Sequence, residues 1–157
     1  MEYRFATDTD LDLLADWDLQ LLRKQGHENT MTFPDLRDRM KECLDRDCKA
    51  VIFEYGGEPV AYALYRQTVA EVNLRHLFVI REHRRKGIGR KAVEILRDRV
   101  WPRNRRLTVE IPMENLPSVL FWRSLGYRDH ALVLELPSEK TSRRPAAAAP
   151  AISVAGK

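Results

Sequence analysis

The sequence predicts a mixed α/β domain of the α+β type. A mostly antiparallel central sheet is flanked by helices, in the order βααβββαβαβ. Three observations predict it. Apolar residues recur at helical spacing in some segments and alternate or run together in others. Two strand-like segments flank Gly56-Gly57, a hairpin signal that argues antiparallel pairing. Strand–helix–strand alternation near the end argues a crossover there. At 157 residues the chain is sized for one domain and can bury a core without a disulfide or metal staple.

Glu2–Ala6 reads as a short strand. Thr7 or Asp8 can cap a helix, with Asp10 and Asp12 near its positive end. Leu11, Leu14, Ala15, Leu19 and Leu22 then recur at helical spacing, and Lys24-Gln25-Gly26 ends the run. His27–Met31 is a polar connection. Thr32-x-x-Asp35 resembles a capping box, with Pro34 in the first turn of a helix that runs to about Leu44. Ala50–Tyr55 and Pro59–Arg66 are the hairpin strands, and Val69–Ile80 is a third, longer apolar segment. A helix over Gly87–Val100 carries Ile88, Val93, Leu96 and Val100 on one side and stops at Trp101-Pro102. Arg106–Ile111 is a strand. Asn115 can cap a short helix with Pro117 in its first turn and Val119, Leu120, Trp122 and Leu125 along it. Ala131–Leu136 is the last expected strand, which closes a domain over residues 1–136. Residues 137–157 are rich in Pro, Ala and charge, and they read as a disordered tail with too little apolar bulk to offset the entropy of ordering.

Composition excludes several classes. Hydrophobic residues make up 44% and charged residues 32%, as in ordinary globular proteins. No apolar run approaches the ~18 residues of a membrane span, so no membrane partner is expected. The polar, acidic start of the chain lacks the pattern of a secretory signal, and a cytoplasmic location is expected. Cys43 and Cys48 are too few for a structural zinc site and read as reduced thiols; the histidines are scattered, and no metal is expected.

The net charge of +4 conceals an asymmetry. Residues 1–50 hold eight Lys/Arg against twelve Asp/Glu, whereas residues 84–106 hold ten Lys/Arg against Glu94 and Asp98. Such a field attracts an anion. The basic stretch follows a buried strand and runs into Gly87-x-Gly89 and a helix. A helix N-terminus offers free N–H groups, and glycines let a phosphate approach them closely. The stretch does not fit a dinucleotide-binding unit, because six residues, Arg81 to Lys86, separate it from its strand. It contains no Gly-Lys-Ser/Thr of a phosphate-binding P-loop.

Arg84-x-x-Gly87-x-Gly89 resembles the Arg/Gln-x-x-Gly-x-Gly/Ala signature of the GNAT family of N-acetyltransferases. Upstream, Leu77-Phe78-Val79 looks like that family's end-of-strand segment. Downstream, Asn115-x-x-Ser118-x-x-Phe121-Trp122-x-x-Leu125-Gly126-Tyr127 resembles its second block. The resemblance spans residues 74–128 and implies acetyl transfer from acetyl-CoA to a primary amine by direct attack in a ternary complex. It places the CoA pyrophosphate on the backbone of Arg85, Lys86, Gly87, Ile88, Gly89 and Arg90, beside Arg84. The pantetheine arm then pairs with Leu77, Phe78 and Val79, in a slot opened by a bulge, with the Val79 amide toward the thioester oxygen. Asn115 and Trp122 fall at cofactor-contacting positions; both also suit plain structural roles, as a cap and as core packing.

Amine attack requires loss of a proton. Glu110, on the strand before Asn115, resembles the base of some family members, and His76 is the second candidate. Trp122 stands where many members carry a tyrosine that protonates the departing thiolate, a role closed to an indole N–H. The connection between the first two helices usually shapes the acceptor pocket, here His27, Glu28 and Asn29. That polar cluster suits a small-molecule or peptide amine. A homodimer is left open, and no nucleic acid is expected. The alternatives are a CoA-binding relative without catalysis and a basic nucleic-acid-binding module.

Overall fold

The computed structural model describes residues 1–24, 30–137 and 152–153. Strands β1 (Glu2–Phe5), β2 (Cys48–Tyr55), β3 (Glu58–Gln67), β4 (Glu71–Val79) and β5 (Arg106–Val109) lie side by side in chain order. The first four are antiparallel, and β5 joins β4 in parallel. Helices α1 (Leu11–Lys24), α2 (Phe33–Arg46), α3 (Ile88–Ile95) and α4 (Leu116–Ser124) connect them. A wider π-helical turn, Leu96–Val100, extends α3 to Trp101.

The helix boundaries follow from their caps. Thr32 N–H donates to Asp35 Oδ2 at 2.8 Å, and Asp35 N–H returns a bond to Thr32 Oγ1, closing the expected capping box. Thr7 N–H donates to Asp10 Oδ2 at 2.8 Å, opening a 3₁₀ turn that leads into α1. The apolar stripe of α1 and α2 packs on one face of the sheet, where Leu11, Leu14, Trp17, Leu21 and Met40 meet Ile52, Tyr62, Leu64 and Phe78. On the other face Ala92, Val93, Leu96 and Trp122 of α3, its extension and α4 meet Val51, Phe53, Ala61, Ala63, Leu77 and Val79. The sheet is thus the middle layer of three, buried on both sides, which explains the nearly unbroken apolar runs in β2, β3 and β4.

One irregularity shapes everything downstream. Tyr65 pairs with Leu74 but Leu64 pairs with His76, so Arg75 is an extra residue bulged out of β4. Side-chain parity therefore resets: Val72 and Leu74 share a face with Leu77 and Val79, leaving His76 and Phe78 on the opposite one. At the same point β4 and β5 part, since their pairing ends at Leu74 and Val109.

The observed order is βααβββαβαβ as expected, but its last strand is a different segment. Ala131–Leu136 is not a strand; it is irregular, with Leu132, Val133, Leu134 and Leu136 exposed. Its alternation is real, but a strand needs an adjoining edge to complete its ladder, and none of the described strands pairs with it. Instead Ile152–Ser153 forms β6, parallel to β4 with Ile152 at Leu77 and Ser153 at Phe78. Within the expected tail these two residues are described; residues 138–151 and 154–157 lie outside the described ones. The expected strand to Ile111 ends at Val109, where its partner turns away. Cys43 and Cys48, expected as free thiols, are joined as a disulfide with Cα atoms 5.1 Å apart. Asp47 lies beside them, but bonded sulfurs offer no thiolate for an ion. Among the described residues no helix is long and apolar enough to cross a membrane.

Candidate active site

The site grows from the fork where β4 and β5 separate. Ile80 N–H donates to Val60 O at 3.0 Å, on the β3 side. Peptide groups alternate in direction along a strand, so those of Phe78 turn toward β3 while those of Leu77 and Val79 turn toward the side that β5 has left, where β6 lies. Leu77 and Val79 are therefore the residues of the expected trio that offer backbone groups to an extended ligand. Phe78 does not, because its peptide belongs to the β3 ladder.

Beyond Val79 the chain makes a 3₁₀ turn at Arg81–His83 and reaches the basic loop. Arg84 Nε donates to Val79 O at 2.8 Å, and its guanidinium sits 5.6 Å from the centre of the Phe78 ring. Arg84 thereby ties the loop to the strand end. Arg85 and Gly87 adopt left-handed conformations, with φ of 65° and 76°. Alternation of that kind turns successive N–H groups to one side, forming a concave anion nest. Gly87 is the N-cap of α3 and has no side chain to cap it, so the first N–H groups of the helix, at Ile88, Gly89 and Arg90, stay open to a ligand. A Cβ added at Gly87 would meet nothing within 4 Å, so there is open room above the loop. Arg85, Lys86 and Gly87 are exposed. The Arg90 side chain turns away and donates to Ser124 Oγ on α4 at 2.9 Å.

Glu110 is exposed and comes just after the last β4–β5 pair, beside the bulged Arg75. Burial and Arg66 push the Arg75 guanidinium below its ordinary range, and Glu110 opposes them. His76 is buried on the α1–α2 face. Its Nδ1 lies 2.9 Å from Tyr62 Oη and 3.7 Å from Asp18 Oδ1. Asp18 is 1% exposed and takes a bond from Arg39 at 3.0 Å, leaving its Oδ1 without a donor among the described residues. Desolvation pushes His76 down to about 4, with Asp18 opposing, so the imidazole is neutral near pH 7. Burial also pushes Tyr62 well up. The sequence reading missed Asp18, Tyr62 and Arg39. One signal was readable: Asp18 stands one helical turn from Leu14 and from Leu22, on the apolar stripe of α1.

Asn115 caps α4, accepting Ser118 N–H at 3.4 Å. Trp122 is 1% exposed and packs edge-on against Phe121 and Tyr127, and its Nε1–H has no partner among the described residues. His27, Glu28 and Asn29 lie outside the described residues.

The acetyltransferase (GNAT) family model matches residues 13–127. No curated protein matches the chain. Solved structures share the fold at low identity. A Bacillus halodurans protein, solved as a point mutant, has 20% identity and a TM-score of 0.72, covering 88% of this chain and 99% of its own. An aminoglycoside 6'-N-acetyltransferase from Acinetobacter haemolyticus has 18% identity and a TM-score of 0.66, covering 88% and 99%. A predicted acetyltransferase from Clostridium acetobutylicum, solved with acetyl-CoA, has 17% identity and a TM-score of 0.68, covering 87% and 95%.

Proposed function

The chain belongs to the acetyltransferase (GNAT) family, and from that premise we propose that it carries acetyl from acetyl-CoA to a primary amine in a ternary complex. The observation that carries this reading is the fork. β4 and β5 part after Leu74 and Val109, and the freed edge of β4 leads straight to the left-handed cap of α3. A long ligand with amides at one end and a pyrophosphate at the other matches that sequence of donors. Acetyl-CoA supplies the activated acyl group as a thioester.

The chain's own residues do the rest. The N–H groups of Ile88, Gly89 and Arg90 and the nest at Arg85–Gly87 hold the pyrophosphate, with Arg85 and Lys86 adding charge. Leu77 and the Val79 N–H align the pantetheine arm. The Val79 N–H is also the donor available to the acyl oxygen as negative charge builds there. The amine nitrogen bonds to the acyl carbon, the carbon–sulfur bond breaks, and the amine's proton leaves to Glu110, directly or through water. The thiolate departs without help from Trp122, whose indole N–H is not an acid at working pH. Burial argues against His76 as the base, since a group pushed down to about 4 and already engaged by Tyr62 accepts a proton poorly.

The acceptor in this reading is a small molecule or a peptide end. An aminoglycoside is one class to test, because a neighbour with this fold is described as acting on one. The exposed apolar strip Leu132–Leu136 suits a homodimer contact. A second reading, a CoA-binding relative without turnover, draws on the buried Trp122 and His76. The test is release of free thiol from acetyl-CoA across a panel of polyamines, aminoglycosides and peptide N-termini. Amine-dependent thiol release with acetylated product supports transfer. Tight acetyl-CoA binding without turnover on any amine supports the second reading and overturns the first.

A further inference from the structure

Resting on that reading of the β4 edge, we propose that the chain's own C-terminal segment, Ile152–Ser153, occupies the pantetheine edge, so that acyl-CoA must displace it to bind. Three observations converge. The peptide groups of Leu77 and Val79 face the side of β4 that β5 has left, and Arg84 already takes Val79 O, so the open groups are the N–H and C=O of Leu77 and the N–H of Val79. β6 lies against this stretch, parallel, with Ile152 at Leu77 and Ser153 at Phe78. A peptide strand there uses the same backbone groups that would align the amides of a pantetheine arm. The two cannot be bound together.

The tail's composition fits such a role. Ile152 and Val154 are its only branched aliphatic residues; the rest is mainly Pro, Ala, Ser and charge. One short piece therefore has strand propensity, carried on a tether that does not. Fourteen residues separate Pro137 from Ile152, and at ~3.3–3.6 Å per extended residue that tether is no obstacle to reach. A two-residue strand makes few ladder bonds, so it is a displaceable occupant. Its covalent attachment makes the pairing intramolecular, so it competes with acyl-CoA at any protein concentration. If the edge is free between about a tenth and a half of the time, the apparent affinity for acyl-CoA is lowered about two- to ten-fold.

The test compares the full chain with the double variant Ile152→Pro/Ser153→Pro, which removes both backbone donors of β6. Acetyl-CoA and 3′-phospho-ADP, which has the pyrophosphate but no pantetheine, are titrated into each. Hydrogen exchange is followed at the Leu77 and Val79 amides. The proposal expects the acetyl-CoA Kd to fall about two- to ten-fold in the variant. The 3′-phospho-ADP Kd stays unchanged, and both amides exchange faster. Unchanged exchange together with unchanged acetyl-CoA affinity overturns it. So does an equal gain for both ligands, which would mean the tail screens the phosphate loop instead. If neither protein binds either ligand, the reading of the cofactor site has failed and the competition falls with it. The exchange data then report the strand contact alone, which keeps the two failures distinguishable.

Discussion

Burial of His76 makes a prediction about pH that separates its structural role from a catalytic one. The imidazole lies among Tyr62, Asp18, Arg39 and Arg75, and desolvation carries it from 6.5 down to about 4. The unfolded chain takes up this proton below about pH 6.5, whereas the folded chain refuses it until about pH 4. Between those values the unfolded state binds more protons, so stability rises with pH. The contribution is complete above pH 6.5 and is lost as pH falls toward 4. At ~1.36 kcal/mol per unit, the whole shift is worth about 3 kcal/mol. Replacing the residue, His76→Gln, keeps a polar partner for Tyr62 and removes the titration. Urea unfolding at four values from pH 7.5 to 4.5 measures both proteins. The wild type should lose about 2–3 kcal/mol more than the variant over that range, most of it below pH 6.5. Parallel curves, or a His76 midpoint near its ordinary value by NMR, would show that burial does not hold the imidazole neutral and would make His76 available as a base.

Other predictions follow from single contacts. Glu110→Gln should keep acetyl-CoA affinity and lower kcat by ~10²–10⁴-fold, with the loss shrinking as pH rises because the amine arrives deprotonated; a pH-independent loss would make Glu110 a positioning residue. Arg84→Ala removes the bond to Val79 O, worth ~1.5–3 kcal/mol for a charged donor, and should lower Tm and raise the acetyl-CoA KM while kcat changes little. Arg84→Lys should not restore it, since the bond uses Nε; full rescue by lysine would show that charge alone matters. Reduction of the Cys43–Cys48 bridge, or Cys43→Ser, should cost about 2 kcal/mol from the chain-entropy of so short a loop, read as a Tm lower by several degrees. An unchanged Tm would show that the bridge does not constrain the unfolded chain.

Much of the fold was legible because its signals are local. The capping box at Thr32 and Asp35, the Gly56-Gly57 turn and the apolar stripes of α1 and α2 each specify structure within a few residues. What escaped depends on pairing. The bulge at Arg75 breaks the alternation of Val69–Ile80, so the apolar run alone does not say which face His76 or Phe78 joins. Glu110 and Ile111 carry strand-like chemistry, but β5 stops where β4 turns aside. Ala131–Leu136 has the pattern of a strand and no adjoining ladder, while Ile152–Ser153 has the ladder and almost no pattern. At the site, the basic charge of the loop and its glycines were readable, and the left-handed φ of Gly87 is of the kind glycine permits. That Arg84 and Arg90 brace the loop through Val79 and Ser124 was not readable, because an arginine's partner is set by tertiary geometry.

In the proposed function the fork and the left-handed loop hold acetyl-CoA by backbone. Calorimetric titration of acetyl-CoA into wild type and Gly87→Val probes that hold. Gly87 has φ of 76° and open room above it, so valine both strains the cap, by ~1–2 kcal/mol, and fills the phosphate's approach. Saturable one-to-one binding to the wild type is expected, and none to a Gly87→Val variant that retains its circular dichroism and a cooperative melt. Equal affinity in the two proteins, or no binding to the wild type, would contradict it.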